Sequence, residues 1–189
     1  MKKKRVFGFG LGGLVVIGLG IIVVGSGFNG CSSFSITQEE AAIRFARQGQ
    51  EPPEFIFQET DPGKIHFASV GEGTDTIVFV HGSPGSWSAL SRFLMDEDLK
   101  KAGGLISVDR PGFGLSEPKT PERSLREQSR SIAEALQKEG VVENAILVGH
   151  SLGGPVIVRM AADYPDLVKG LVLVAPYMDP EIQKRQWHN

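Results

Sequence analysis

The sequence predicts an α/β fold in which helices flank a mostly parallel β-sheet. Short apolar runs alternate with helix-compatible segments, which is typical of strands joined by crossover helices. These runs lack the alternation of apolar and polar residues, which indicates strands buried on both faces of a sheet. Two of them end in glycine-rich loops, the place where an open α/β sheet makes its ligand contacts. The four runs are 75–80, 103–109, 145–148 and 168–176.

The composition is that of a globular protein of about one domain. The chain has 189 residues, of which 41% are hydrophobic and 22% charged, unlike a disordered chain. Four of the 20 basic residues lie in the first five positions, so residues 31–189 carry 16 basic and 22 acidic residues, a net charge of −6. This balance does not resemble a nucleic-acid-binding surface, and we expect no nucleic-acid partner. Cys31 is the only cysteine, which excludes an intramolecular disulfide.

Residues 1–31 predict a signal or membrane-anchor segment. A basic start is followed by an uncharged, glycine-rich stretch at 6–24, which as a helix of ~28 Å matches the thickness of a bilayer's hydrocarbon core. Gly30 and Cys31 resemble the end of a bacterial lipoprotein signal, which implies lipidation of Cys31. An uncleaved signal-anchor is the alternative, and a buried structural cysteine a third. Either membrane reading predicts a protein anchored in the bacterial cell envelope, with its domain outside the cytoplasm.

Residues 32–53 are expected to form a membrane-proximal helix and a linker. The stretch 36–48 is weakly amphipathic, and Thr37 with Glu40 fits a capping box at its start. Its apolar residues at helical spacing are Ile36, Ala42, Ile43 and Ala46.

The core of the domain is expected at 54–176, beginning with a hairpin. Two strand patterns, 54–58 and 64–70, flank an Asp-Pro-Gly turn. His66 lies in the second strand, where we expect a surface histidine or one with satisfied hydrogen bonds. Farther on, the Ser-Leu-Arg-Glu pattern that begins at Ser124 predicts a capping box and the start of a helix.

The stretch 145–154 predicts a nucleophile elbow. Four apolar residues lead into G-H-S-L-G, and a helix-compatible segment follows at once. A G-x-S-x-G turn between strand and helix is so tight that side chains at its flanking positions clash, which Gly149 and Gly153 avoid. We predict Ser151 as the nucleophile and the N–H of Leu152, at a helix N-terminus, as an oxyanion donor. The alternative is a glycine- and serine-rich turn without chemistry.

Three motifs in the region 75–176 carry a resemblance to a known family. H-G-S-P-G begins at position 81, D-R-P-G-F-G-L-S at 109 and G-H-S-L-G at 149. Together they resemble the α/β-hydrolase superfamily, of the lid-bearing serine hydrolase type. The resemblance implies an antiparallel pair of strands ahead of the parallel sheet.

The resemblance also implies roles for individual residues. The backbone N–H of Ser83 is expected to join that of Leu152 in an oxyanion hole. His81 is expected to shape its loop, and a role as catalytic base is the minority interpretation. The residues expected to build the motifs structurally are His81, Gly82, Asp109, Arg110, Gly149, His150 and Gly153.

The acid and the base of a catalytic triad follow the serine in this family. After Ser151 the only histidine is His188, and the tail 177–189 resembles the start of a lid. Asp179 is a weak candidate for the acid, and His188 a weaker one for the base. We therefore expect the sequence to be the amino-terminal part of a longer hydrolase, with the α/β-hydrolase sheet cut before its last strands.

The predicted function is a serine hydrolase that cleaves an ester or amide substrate of small size through an acyl-enzyme, without metal or cofactor. A serine nucleophile argues against the dehalogenases and epoxide hydrolases of the family, which need a carboxylate there. The alternative is a non-catalytic, membrane-tethered remnant or binding protein on a hydrolase scaffold. An acyltransferase or a cofactor-free peroxidase is a third possibility. A sheet that ends at Val174 leaves an apolar edge uncovered, which predicts aggregation.

Overall fold

The computed structural model describes residues 35–61, 63–118 and 120–178. The predicted signal or anchor segment with Cys31, the acid candidate Asp179 and His188 lie outside the described residues. Among the helices that the structure describes, none is long and apolar enough to span a membrane.

A six-stranded sheet lies at the centre, with strand order β1-β2-β4-β3-β5-β6. The strands are β1 Glu54–Glu59, β2 Lys64–Val70, β3 Thr76–Val80, β4 Gly104–Val108, β5 Ala145–His150 and β6 Val168–Val174. β1 and β2 are antiparallel, as are β2 and β4, whereas β4, β3, β5 and β6 run parallel. The prediction of a mostly parallel sheet with an antiparallel start is confirmed.

Five α-helices connect and cover these strands within the described part of the chain. They are α1 Gln38–Ala46, α2 Ser91–Leu94, α3 Glu97–Ala102, α4 Leu125–Lys138 and α5 Gly153–Asp163. The predicted helix after β3 begins as a 3-10 turn, Trp87–Leu90, which continues into α2.

The register of the parallel strands brings three loops to one edge of the sheet. Val80 at the end of β3 pairs with Val108 of β4 on one side and with Gly149 of β5 on the other. The loops that follow these strands therefore begin side by side. Because parallel strands place their carboxyl ends together, this edge is where the fold positions a site.

Two apolar clusters hold the helices against the sheet, one on each face. On one face α4 and α5 contribute Ile132, Leu136, Ile157 and Met160, all fully buried. On the other face α1 packs Phe45 with Trp87 and Leu94 from the segment after β3. Full burial of one such side chain stabilises the fold by about 1.5–3 kcal/mol.

The buried face of α1 differs from the predicted one. Ala41 and Phe45 are fully buried, whereas Ile43 is 51% exposed. The apolar pattern of this helix is weak, so its orientation is decided by the partner surface, and an aromatic ring buries more area there than Ile43 would. The predicted capping box is present, because Thr37 accepts from the Glu40 N–H and Glu40 accepts from the Thr37 N–H.

The capping box predicted for α4 is only half formed. The Ser124 hydroxyl accepts the N–H of Glu127 at 3.3 Å. The Ser124 N–H donates instead to Glu122, and the Glu127 carboxylate pairs with Arg130. The helix ends at Lys138, and Gly140, just beyond its C-cap, has a φ of 89°, the left-handed conformation that suits glycine after a helix end.

Candidate active site

The three motif loops enclose a cleft at the carboxyl edge of the sheet. Its volume is about 830 Å³. Ser83, Ser151 and Leu152 all line it, so the predicted nucleophile and both predicted oxyanion donors share one space. The other lining residues are Arg110, Phe113, Pro121, Glu122, Arg123, Leu125, Gln128 and Tyr177.

Ser151 lies in the turn between β5 and α5 with a φ of 51°. The left-handed conformation costs a residue with a Cβ about 1–2 kcal/mol. Hydrogen bonds on both sides of the residue hold it there: its N–H donates to the carbonyl of Val174, and its carbonyl accepts the N–H of Gly154 and of Tyr177, each at 3.0 Å. The serine is therefore a strained residue fixed by the end of β6, as expected for a nucleophile elbow.

Three glycines allow the close approach that this turn requires. A Cβ on Gly149 would lie 2.6 Å from the carbonyl oxygen of Gly153, and a Cβ on Gly153 would lie 2.2 Å from that of Val80. A Cβ on Gly82 would lie 2.9 Å from the Cβ of Ser151. The loop after β3 is thus packed directly against the serine, and any side chain at these positions would push the two apart.

The predicted oxyanion donors Ser83 and Leu152 both line the cleft. Among the described residues, neither N–H donates a hydrogen bond to another protein atom. Leu152 is the N-cap of α5, where the helix dipole favours negative charge. Two unused donors beside a serine hydroxyl are an arrangement that can stabilise an oxyanion.

His81 is buried and uses both ring nitrogens. Its Nδ1 atom lies 2.6 Å from the Gly82 carbonyl oxygen, to which it donates. Its Nε2 atom accepts the N–H of Arg110 at 3.1 Å. Burial, followed by the charge of Arg110, lowers the pKa of His81 to about 4. A neutral ring with both nitrogens occupied cannot take a proton from Ser151, so the loop-shaping interpretation fits the geometry.

Asp109 is fully buried and organises the loops around the site. Its Oδ1 atom accepts the N–H of Trp87 at 2.7 Å. Its Oδ2 atom accepts the N–H of Leu115 at 2.9 Å and lies 2.8 Å from the Nδ1 atom of His66. Of the two expectations for His66, a surface position is wrong, because the side chain is fully buried against the rings of Phe55 and Phe57. Satisfied hydrogen bonds are found at Nδ1 only, since Nε2 has no partner among the described residues.

Arg110 is also buried, against the wall of the cleft. Its Nη1 atom donates to Gln128 at 2.7 Å and its Nη2 atom to the Gly82 carbonyl at 2.8 Å. The centre of its guanidinium lies 4.3 Å from the centroid of the Phe113 ring. Burial lowers the pKa of Arg110 to about 10, so the group stays positively charged at neutral pH.

No base for Ser151 is found in the described part of the chain. His66 and His81 are engaged as above, and His150 is exposed at the end of β5. Among the described residues, no side-chain hydrogen bond joins Ser151 to a histidine or a carboxylate. The same residues hold no cluster of three or more histidines, cysteines and carboxylates that could bind a metal ion.

Several cleft residues were not identified by the sequence motifs. Phe113 lies inside the second motif, but nothing in that motif indicated that its ring faces the site. Glu122 and Arg123 precede α4 and Leu125 is its first residue, a stretch that carries no catalytic pattern. Tyr177 follows β6 directly, and its position at the carboxyl end of a parallel strand is the one signal that could have identified it.

The chain belongs to the α/β hydrolase fold family, which matches residues 75–187. It is 34% identical over 119 residues to a 2-hydroxy-6-oxononadienedioate/2-hydroxy-6-oxononatrienedioate hydrolase of a Pseudomonas species, covering 59% of this chain and 40% of that protein. It is 33% identical over 123 residues to the dihydrolipoyllysine-residue acetyltransferase component of the acetoin cleaving system of Cupriavidus necator, covering 65% of this chain and 32% of that protein. The chain thus spans well under half the length of these relatives.

Solved structures of the same fold include two hydrolases of different chemistry. Epoxide hydrolase CorEH has a TM-score of 0.59 and 26% identity, with 65% of this chain and 42% of that chain covered. The N-acyl homoserine lactonase AidH, complexed with N-butanoyl homoserine, has a TM-score of 0.57 and 28% identity, with 65% and 45% covered. Hydrolases therefore recur among the proteins that this chain is similar to.

Proposed function

We propose that this protein is a serine hydrolase that cleaves a small ester or amide through an acyl-enzyme. The observation that carries the proposal is the left-handed turn at Ser151, with a φ of 51°, at the edge of a cleft shared with Ser83 and Leu152. A strained serine beside two unused N–H donors has no structural purpose that a glycine would not serve better.

The reaction follows from these positions. The Ser151 oxygen attacks the acyl carbonyl carbon and passes its proton to a base, while the carbonyl π bond opens to an oxyanion held by the N–H groups of Ser83 and Leu152. Collapse of this intermediate re-forms the carbonyl and breaks the bond to the leaving alcohol or amine, which takes up the proton. Water then attacks the acyl-enzyme, releases the acid and restores the serine. No base contacts Ser151 among the described residues; outside them, His188 is the candidate for the base and Asp179 the candidate for the acid in this sequence.

The lining of the cleft fits a substrate with an apolar part next to its acyl group. Phe113 and Leu125 offer apolar surface, and Glu122 and Arg123 add charged side chains to the lining. One relative is named a 2-hydroxy-6-oxononadienedioate/2-hydroxy-6-oxononatrienedioate hydrolase, and one similar structure is named an N-acyl homoserine lactonase. A lactone is an ester, which supports an ester as the first substrate class to test.

A fluorophosphonate probe tests the nucleophile directly, because it reacts covalently with an activated serine. We expect the full 189-residue chain to be labelled, Ser151→Ala to abolish labelling, and Ser69→Ala, a serine on β2 away from the cleft, to leave it unchanged. Ser151-dependent labelling makes Asp179→Asn and His188→Gln the next variants. A folded chain that is not labelled contradicts the proposal for this chain.

The second candidate is a non-catalytic binding protein on the same scaffold. It is favoured by one observation, the absence of a base near Ser151 among the described residues. The two candidates differ in turnover. Release of p-nitrophenol from a short-chain p-nitrophenyl ester at a Ser151-dependent rate supports the hydrolase, whereas ester binding without turnover supports the binding protein.

We also propose that the amino-terminal segment holds the protein at the membrane of a bacterial envelope. The supporting observation is the basic start followed by nineteen uncharged residues and Cys31. Metabolic labelling with a palmitate analogue separates the two forms of attachment. Incorporation that is lost in Cys31→Ala supports a lipoprotein, membrane retention without incorporation supports an uncleaved anchor, and a chain recovered free of membranes contradicts both.

A further inference from the structure

The carbonyl of Gly82 receives two side-chain hydrogen bonds. His81 donates to it through Nδ1 at 2.6 Å, and Arg110 donates through Nη2 at 2.8 Å. Both side chains are fully buried. Gly82 is itself buried, so its carbonyl needs a protein partner, and it receives two donors where one would satisfy it. Two buried side chains fixed on one carbonyl hold it in a single direction.

The direction of this carbonyl sets the direction of a catalytic N–H. The C=O of Gly82 and the N–H of Ser83 belong to one planar peptide unit. In a trans peptide these two bonds point in opposite directions. The peptide is trans, since the cis bond in this loop follows Ser83 rather than preceding it. Holding the oxygen on the side of Arg110 therefore turns the N–H of Ser83 away from Arg110.

The Arg110 side chain is itself held in place. Its Nη1 atom donates to Gln128 of α4, which is 1% exposed, and Gln128 donates in turn to the carbonyl of Glu122 at 2.8 Å. The ring of Phe113 supports the guanidinium from one side. In the described part of the chain, Arg110 forms no ion pair with a carboxylate, so its charge acts on the Gly82 carbonyl without a neutralising partner.

A charged donor on the carbonyl also strengthens the N–H at the other edge of the peptide. Hydrogen bonds from a cation are about twice as strong as neutral ones, and bonds in a chain polarise one another. Drawing electron density toward the Gly82 oxygen makes the Ser83 N–H a better donor to an oxyanion.

We propose that Arg110 and His81 are positioning residues of the oxyanion hole, which orient and polarise the Gly82–Ser83 peptide so that the Ser83 N–H faces the oxyanion formed at Ser151. This inference rests on the proposed function of the site. It assigns Arg110 a task beyond holding loops together, and it explains why a cation lies buried beside the site without a carboxylate partner.

Selective isotope labelling observes this peptide without any need for catalysis. The full chain is made by cell-free synthesis with ¹³C-carbonyl glycine and ¹⁵N-serine, so that an HNCO spectrum shows only Gly-Ser peptides. The sequence contains three of these, at 25–26, 82–83 and 85–86, and the signal lost in Ser83→Ala identifies the one of interest. We expect Arg110→Met to shift both the Gly82 carbonyl carbon and the Ser83 amide proton upfield, and Arg110→Lys, which keeps a charged donor, to shift them less.

The rate of labelling by the fluorophosphonate probe gives the second readout. We expect Arg110→Met to lower the maximal labelling rate about 10- to 100-fold with little change in the probe concentration at half-maximal rate, since complete removal of an oxyanion donor costs ~10²–10³. Arg110→Lys is expected to recover part of the rate. Leu136→Ala, a core variant about two turns along α4 from Gln128, controls for lost stability and is expected to change neither the spectrum nor the rate.

The outcomes separate this inference from the proposed function. If the wild-type chain folds but is not labelled, the proposed hydrolase function is contradicted. The HNCO spectrum then still tests whether Arg110 orients and polarises the Gly82–Ser83 peptide. Unchanged Gly82 and Ser83 signals in Arg110→Met, or equal slowing in Leu136→Ala, overturn the inference. If Arg110→Met does not fold, the same comparison is made with the uncharged variant Arg110→Gln, for which unchanged signals and an unchanged rate overturn the inference.

Discussion

The Nδ1 atom of His66 lies 2.8 Å from the Oδ2 atom of Asp109, with both side chains fully buried. Because a carboxylate oxygen can only accept, the histidine donates. The pair joins β2 to the loop after β4, and the same carboxylate accepts the N–H groups of Trp87 and Leu115. One side chain thereby fixes the loop after β3 and the loop after β4, which both border the cleft.

Removing the Asp109 carboxylate is expected to destabilise the fold strongly. Asp109→Ala leaves two buried donors and one half-buried donor without an acceptor, at about 1–3 kcal/mol for each buried group, so we expect a loss of at least ~3 kcal/mol in the free energy of unfolding. Asp98→Ala is the matched control: its exposed carboxylate pairs with Lys101 on the surface, and such pairs are worth about 0–1 kcal/mol. Urea unfolding of both variants measures the difference, and equal losses would contradict the role given to Asp109.

The sheet and the nucleophile turn could be predicted from the sequence because short-range patterns determine them. Runs of apolar residues identify buried strands, and the glycines around Ser151 are required by sterics within a few residues. The hydrogen-bond network behind the site could not be predicted this way. Asp109 lies 43 residues from His66 in sequence, and no local pattern tells which buried histidine meets which carboxylate.

The buried face of α1 and several residues that line the cleft were not predicted, for a related reason. A short helix with a weak apolar face is oriented by the surface it meets, so Phe45 and not Ile43 was buried. Arg123 and Leu125 line the cleft at the start of α4, and where a helix start meets the carboxyl edge of the sheet depends on the whole topology. The acid and base candidates, Asp179 and His188, remain predictions, since both lie outside the described residues.

The glycine after the nucleophile turn provides a direct steric test. A Cβ at Gly153 would lie 2.2 Å from the carbonyl oxygen of Val80, a backbone atom that cannot move without disturbing β3. We expect Gly153→Ala to cost about 3 kcal/mol or more of unfolding free energy and to abolish Ser151 labelling.

Gly170→Ala is the matched control for this substitution, because nothing lies within 4 Å of the position of its Cβ. Alanine there is expected to change stability by less than ~1 kcal/mol. Thermal unfolding of the two variants, run with the labelling assay, tests the claim. A Gly153→Ala chain as stable and reactive as Gly170→Ala would mean that the turn tolerates a side chain.

The low pKa of His81 predicts a dependence of stability on pH. The folded-state pKa is about 4 against an ordinary value of 6.5, so below pH 6.5 the unfolded chain binds a proton that the folded chain does not. The contribution of neutral His81 is therefore complete above pH 6.5 and declines as the pH falls toward 4, by about 3 kcal/mol in total.

His81→Asn isolates this contribution. Asparagine does not titrate, and its amide can still donate to the Gly82 carbonyl. The carboxylates titrate in both proteins and cancel when the two unfolding free energies are subtracted. We expect the advantage of the wild type over the variant to shrink by about 3 kcal/mol between pH 7 and pH 4. A constant difference across this range would show that His81 titrates normally in the folded chain.

We expect copies of the chain to associate with one another through the outer strand β6. Within the described residues it pairs only with β5, and its last four residues are apolar and 39–46% exposed. Leu173 lies on the face near α5, since its Cδ2 atom is 3.7 Å from a Cβ position on Gly154. Val172 therefore points to the opposite face, where a lysine does not disturb the helix. An unpaired strand with apolar side chains on both faces is a template for pairing with another chain.

Val172→Lys is accordingly expected to suppress association of residues 32–189. Sedimentation velocity over a range of concentrations should show that the wild type associates and that the variant needs about tenfold more protein to do so, a change of ~1.4 kcal/mol. Val142→Lys adds the same charge at a residue that is 60% exposed but lies in the loop before β5, so it controls for net charge. If both variants suppress association equally, charge repulsion and not the β6 edge accounts for the effect. If neither does, the chains meet through another surface.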